Sequence, residues 1–256
     1  MLRQTSNLRG YGVGAADGPI GSIQDFLFDD ATWLVRWFVV DTGAFFPGRK
    51  VLVPPSALRH DDHTARQLNV KLTRQEVKDS PSIDTDLPVS REMETHLYDY
   101  YGWSPYWSTG FNVGGYGPLG GVYPPLGLGF VGGRGDVRDQ SIPGDPHLRS
   151  AQEIEGYHIE ARDGEVGHVW DVLLEDGDWS IRYLIVDTLN WWPGQKVLIS
   201  PRSIEAVNWG TRTVDLDVDR ATVKASPAYD GTQALDRAFE AAFHAHYGAR
   251  PEAPPA

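Results

Sequence analysis

Cysteine is absent from all 256 residues. That excludes disulfides, thiolate metal sites and a cysteine nucleophile, and it fits a reducing compartment. Long apolar runs are missing too: no stretch approaches the ~20 apolar residues of a membrane-spanning helix. The opening MLRQTSNLRGYGVG has no apolar segment of the secretory type. Both absences point to a cytoplasmic protein with no transmembrane segment. Positive charge is scarce, with 23 Lys and Arg against 35 Asp and Glu for a net −12. Such a balance argues against direct nucleic-acid binding and against an anionic membrane, since both demand a basic face.

The usual signatures of catalysis are also lacking. GGRG at 132–135 has neither the preceding strand nor the Lys-Ser/Thr of a phosphate loop, and no Gly-x-Ser-x-Gly occurs. No cofactor is expected, and the chain reads as a non-enzyme.

What the chain does have is a long internal repeat, the feature to seek before any motif. An offset of 146 aligns residues 8–102 with 154–248 without a gap, giving 31 identities in 95 pairs. The two copies therefore act as a small internal alignment. Asp17-Gly18 and Asp163-Gly164 sit between alternating segments, a strong hairpin signal. IGSIQDFLF and VGHVWDVLL predict a second strand, and WLVRWFVVDT and WSIRYLIVDT a central one. In that central strand Val35, Trp37 and Val39 share a face, as do Ile181, Tyr183 and Ile185. KVLVPP and KVLISP form a fourth strand stopped by Pro55 and Pro201, since proline cannot donate to a ladder. RQLNVKL and RTVDLDV read as half-buried strands. Thr73 with Glu76 predicts a capping box, and Asp219 caps the matching short helix.

The expected fold is mainly β: two small antiparallel β-barrels, each with a C-terminal amphipathic helix. The expected organisation is a first repeat with its trailing helix over 1–102, a Gly/Pro/aromatic linker over 103–150, and a second repeat with its trailing helix over 151–250. The trailing helices, 90–101 and 236–247, carry Met93, Leu97 and Tyr101 against Phe239, Phe243 and Tyr247 at spacing four. An intramolecular pseudo-twofold pair of repeats is expected, with these helices in the contact; folding back of each helix on its own barrel is the alternative, and a homo-oligomer is also compatible.

The histidines do not form a shared set. His60, His63 and His96 fall opposite Ala206, Trp209 and Ala242, while His158 and His168 fall opposite Gly12 and Ser22. His244 and His246 lie two apart on a helix and so face differently. Locally hydrogen-bonded histidines are expected, with no metal. Asp25, Asp41, Asp171 and Asp187 are shared, and a structural role as acceptors of backbone N–H groups outweighs acid–base chemistry. The duplicated loops Phe45-Phe46-Pro-Gly-Arg-Lys50 and Trp191-Trp192-Pro-Gly-Gln-Lys196 carry aromatics that need cover. They either plug their own barrels or anchor a partner. The candidate interaction residues are accordingly Phe45, Phe46, Lys50, Trp191, Trp192, Lys196, Leu97 and Phe243.

The runs Gly21-Ser-Ile-Gln-Asp25 and Gly167-His-Val-Trp-Asp171, the Val-Asp-Thr strand ends, the Pro-Gly-x-Lys-Val-Leu segments and the closing prolines together resemble the PRC-barrel family. That family includes the cytoplasmic domain of the photosynthetic reaction-centre H subunit and the C-terminal domain of a ribosome-maturation factor. The resemblance covers roughly 8–81 and 154–227. It implies small β-barrels that dock onto a larger assembly, with no catalytic residues to carry over. An interaction or scaffold protein with an unknown protein partner is the leading expectation. A small-ligand or ion sensor is the second. A reaction-centre-like or ribosome-associated accessory role follows from the resemblance alone, although the transmembrane helix of the one branch and the RNA-associated domain of the other are not seen in this sequence.

Overall fold

The computed structural model describes residues 1–43, 49–62, 66–80, 97, 147–188, 195–227, 229–230 and 237–247. Residues 1–83 and 147–256 form one compact unit. A second unit spans 84–146 and contributes one described residue, Leu97, which is helical and fully buried.

The first repeat runs β1 (Leu2–Gln4), α1 (Thr5–Leu8), β2 (Gly12–Ala15), β3 (Gly18–Asp29), β4 (Leu34–Asp41) and β5 (Lys50–Val53). A 3-10 turn at Pro55–Ala57, then β6 (Leu58–Asp62), β7 (Gln67–Val70) and α2 (Arg74–Asp79), complete it. The second repeat follows the same plan: β8 (Leu148–Ser150), α3 (Ala151–Ile154), β9 (His158–Ala161), β10 (Gly164–Glu175), β11 (Ile181–Asp187) and β12 (Lys196–Ile199). A turn at Pro201–Ser203, β13 (Ile204–Asn208), β14 (Thr213–Leu216) and α4 (Arg220–Ala225) come next, and a longer helix α5 spans Arg237–His246.

Two seven-stranded sheets result. One orders β5-β4-β3-β2-β7-β6, the other β12-β11-β10-β9-β14-β13. Two details depart from the expected closed antiparallel barrels. β2 pairs with β7, and β9 with β14, in parallel. No ladder among the described residues joins β5 to β6 or β12 to β13, so the sheets stay open. Proline supplies the reason: Pro54 and Pro55, and Pro201 in the copy, lack the N–H a ladder needs and turn the chain through a 3-10 corner.

The hairpins form at the Asp-Gly pairs but one residue earlier than expected: Ala15 lies opposite Gly18 and Ala161 opposite Gly164, so Ala16-Asp17 and Arg162-Asp163 make the turns and each glycine begins the return strand. Each turn aspartate also reaches a helix start: Asp17 accepts from Arg74 N and Asp163 from Arg220 N, both at 2.7 Å. The capping box is present, with Thr73 Oγ1 accepting from Glu76 N at 3.2 Å and Glu76 accepting from Thr73 N at 2.7 Å. Asp219 caps α4 through Thr222 N at 2.7 Å. Gly21 and Gly167 are required by a close crossing. A Cβ at either would lie 2.0 Å from the carbonyl oxygen of Asp41 or Asp187.

The long strands β3 and β10 are the structural centre. Each is bulged at matching points, between Ile23 and Asp25 and between Val169 and Asp171, which sharpens its bend. One edge of β3 pairs with β4. The other is shared: β2 covers Gly18–Ser22, and β8 of the other repeat covers Leu27–Asp29. Reciprocally, β1 pairs with Leu173–Glu175 of β10. The repeats have exchanged their first strands.

This exchange is the expected pseudo-twofold pairing, but the contact is built differently. Trp33 and Trp179, equivalent residues, exchange main-chain bonds across the seam: Val35 N donates to Trp179 O at 2.9 Å and Ile181 N to Trp33 O at 2.7 Å. Both tryptophans hold positive φ, +58° and +59°, which is rare for a bulky residue and marks a position fixed by its surroundings. Phe38 of one repeat meets the Trp179 ring of the other edge-on at 4.7 Å. Helix α5 supplies little of this contact. Phe243 lies against Tyr183 at 4.9 Å, within a cluster of Leu173, Ile185, Leu198 and Tyr229 of its own repeat, and among the described residues only Leu2 of the other repeat's arm packs against it from across the seam. Tyr183 and Ile185 present an apolar face of β11, and the amphipathic helix folds back onto it. The matching first helix lies outside the described residues except for Leu97.

Candidate functional site

The shared aspartates that attract a catalytic reading are occupied as clamps on the exchanged arms. Asp171 is 1% exposed and accepts from Thr5 Oγ1 at 2.7 Å, from Ser6 N and Oγ, and from Val172 N. Asp25 accepts from Ser150 Oγ, from Gln152 N at 3.1 Å and from Phe26 N at 2.8 Å. Each carboxylate thus binds the first turn of the short helix that follows the other repeat's arm. Burial pushes the Asp25 carboxyl above the usual aspartate range, against the pull of its donors and of Arg9. Asp41 accepts from Gly43 N at 2.8 Å and closes a turn.

Asp30 and Asp176, also equivalent, hold the bases of the arms. Asp176 takes Arg3 Nε at 2.9 Å. Burial opposes its ionisation, but the chain amine and Arg3 outweigh that and hold its carboxyl below the usual range. Asp30 takes His147 Nδ1 at 2.9 Å and Trp209 Nε1 at 2.8 Å, and Arg149 stacks over Trp209 at 4.5 Å. His158 pairs with Glu165 at 3.2 Å and His246 with the Thr222 carbonyl at 2.7 Å, so these histidines are locally hydrogen-bonded. No group of three His, Asp or Glu among the described residues could hold a metal ion.

The aromatic loop residues Phe45, Phe46, Trp191 and Trp192 lie outside the described residues. Their neighbouring lysines are half-buried at the first positions of β5 and β12, Lys50 opposite Asp41 and Lys196 opposite Asp187. Lys196 lies over the ring of Trp170 at 3.0 Å, and Trp170 is 40% exposed. Trp170 is the extra residue of the β10 bulge and points outward between the buried Val169 and Asp171. The repeat does not mark it, because its partner, Gln24, is polar; a lone aromatic at an outward position of a strand is the available signal. Leu97 and Phe243 are both fully buried, so neither offers a free surface. Burial and the Glu240 charge push the Tyr183 phenol up to about 12.

A cleft of about 410 Å³ opens at the seam, between the Pro55–Arg59 corner of the first repeat and Asp176–Trp179 of the second. No helix among the described residues is long and apolar enough to cross a membrane.

Two duplicated open sheets with a Gly-Asp bulged strand, exchanged arms and aspartates committed to hydroxyl and main-chain donors define a tandem β-domain. The PRC-barrel domain model matches residues 3–74 and 146–227, and the chain belongs to the PRC-barrel family. An uncharacterised protein of Deinococcus radiodurans is 36% identical over 83 residues, which cover 32% of this chain. The match spans 29% of that relative's length.

Proposed function

We propose that the protein is a non-enzymatic interaction or scaffold module that docks a protein partner through its PRC-barrel domains. Family membership supports a binding role. The observation that carries it is the Trp170–Lys196 pair: a large aromatic left 40% exposed, with a cation across its face, at the rim of a sheet whose other large aromatics are buried. Exposed tryptophan beside a cation is the composition of an interaction anchor. Lys196 is also one of the candidate interaction residues named from the sequence. Asp25 and Asp171, candidates for acid–base work, are engaged by donors that come mostly from the opposite repeat, which favours a binding module over an enzyme.

The test compares the full-length protein with Trp170→Ala as bait. A specific partner retained by the wild type should be lost about tenfold or more in the variant, as for a central anchor, with an unchanged melting temperature. Equal retention by both removes Trp170 from the interface.

A second reading, a small-ligand sensor, draws on the seam cleft, whose volume lies in the range of small-molecule sites. A ligand there would contact both repeats and raise the melting temperature by mass action. A thermal-shift screen of metabolites and ions with no positive shift would remove it.

A further inference from the structure

Arg9 and Glu155 occupy the same position of the two repeats, since the 146-residue offset carries one onto the other. Two equivalent residues that touch must lie at the axis relating the copies. Arg9 Nη1 donates to Glu155 Oε2 at 3.1 Å, and Nη2 donates to Oε1. The two side chains are 21% and 23% exposed. A planar guanidinium and a carboxylate fit this forked geometry well.

Phe38–Trp179 and Asp30–Trp209 have no like counterpart among the described residues, but much of the rest of the seam comes in like pairs. Asp25 and Asp171 each clamp an opposing arm, Trp33 and Trp179 exchange main-chain bonds, and Leu34 bridges Ser180. A first repeat meeting another first repeat would find most of them again. It would not find the axial pair, because Arg9 would face Arg9 and Glu155 would face Glu155. We propose that Arg9 and Glu155 are the charge-based specificity determinant of the seam, making each repeat accept the unlike repeat and reject a copy of itself.

The electrostatics suit that task. Arg9 also feels the charges of Asp25 and Asp171, so the axis holds one cation among three carboxylates. Burial raises the Glu155 carboxyl, Arg9 counteracts it, and Asp171 and Asp25 add to the rise. A partly buried pair in this position yields little net stability, because desolvation offsets attraction. Its discrimination is large all the same, because a mismatch leaves a desolvated charge with no counter-charge. The surroundings also make the two mismatches unequal. Two glutamates would join Asp25 and Asp171 with no cation, whereas two arginines would still have both aspartates.

The experiment uses full-length Arg9→Glu, Glu155→Arg and the double exchange. Arg9→Glu should lower the melting temperature by about 5 °C or more for a domain of this size, Glu155→Arg should lower it less, and the double exchange should regain most of the loss. When co-expressed, tagged Arg9→Glu chains should capture untagged Glu155→Arg chains about tenfold better than they capture untagged Arg9→Glu chains. Should either single variant fail to fold, co-expression must recover soluble protein that neither yields alone. A double exchange melting no higher than the worse single variant, equal capture of like and unlike chains, or no recovery on co-expression would each overturn the proposal.

Discussion

Thr5 Oγ1 donates to Asp171 Oδ1 at 2.7 Å across a sequence separation of 166 residues, and the equivalent aspartate, Asp25, holds the first turn of the opposite arm through Gln152 N at 3.1 Å. The two bonds run in opposite directions across the seam. A side chain in the bulge of each long strand therefore fixes the beginning of the other repeat.

These clamps set an order of mutational cost. Asp171→Ala leaves two hydroxyls and two amides without their acceptor in a buried place, and it should cost about 2–3 kcal/mol of stability. Asp25→Ala, with three donors, should cost somewhat less. The asparagine variants keep one acceptor oxygen for the amides and let the hydroxyls reorient, so each should cost less than the alanine change. Chemical denaturation measures all four, and alanine variants as stable as the wild type would show that the arms are held by pairing of the strands alone.

Asp25 also gives the fold a pH signature. Its folded carboxyl titrates above the ordinary value of 3.8 because burial disfavours its charge. The protonated form is the one the fold prefers, so the favourable contribution is complete below the unfolded value and is lost as pH rises through the folded one. Asp176 acts oppositely: its carboxyl is held below 3.8, and its contribution is lost as pH falls through the folded value. Asp25→Asn removes only the first effect. Its stability relative to the wild type should therefore improve as pH rises from about 4. Melting curves of both proteins between acid and neutral pH would show this, and a constant offset would contradict it.

Gly21 and Gly167 should tolerate no side chain. The methyl of alanine would meet a backbone carbonyl oxygen 2.0 Å away, and backbone cannot step aside as a flexible side chain can. Gly21→Ala and Gly167→Ala should each cost about 3 kcal/mol or more. Gly10→Ala, where no atom lies within 4 Å and φ is +80°, should cost about 1–2 kcal/mol from backbone strain alone. If the three variants unfold at the same denaturant concentration, the crossing at Asp41 and Asp187 is looser than described.

Local signals carried much of this fold into the sequence. Asp17-Gly18 and Asp163-Gly164 mark the hairpins to within a residue, Thr73 and Glu76 specify their own capping box, and Val-Asp-Thr ends a strand buried on both faces. What stayed hidden is non-local. β1 and β8 are three residues each, too short for any periodicity, and they pair with strands of the other repeat. A trace of them exists, since Leu2-Arg3 matches Leu148-Arg149 at the same offset, ahead of the point where the clear alignment begins. The role of Asp25 and Asp171 as acceptors was legible, but their donors, Thr5, Ser6, Ser150 and Gln152, differ between copies and leave no shared pattern. The packing of Phe243 depended on a choice between two apolar surfaces, and spacing along a helix cannot make that choice.

The exchange of first strands also fixes an order of events on the ribosome. The first repeat can fold its hairpins as soon as α2 has emerged, yet the Leu27–Asp29 edge of β3 has no partner until Leu148–Ser150 is made. At synthesis rates of about 5–20 residues per second, the stretch from Asp79 to Leu148 takes roughly 3–14 s. During that interval a bulged strand stands with three unpaired positions and the clamp of Asp25 open. The early Leu2–Gln4 arm waits longer still, for β10. The nascent chain thus carries one vacant strand site and one unplaced arm that its own later half will engage, and a chaperone or a neighbouring nascent chain has seconds in which to reach them first.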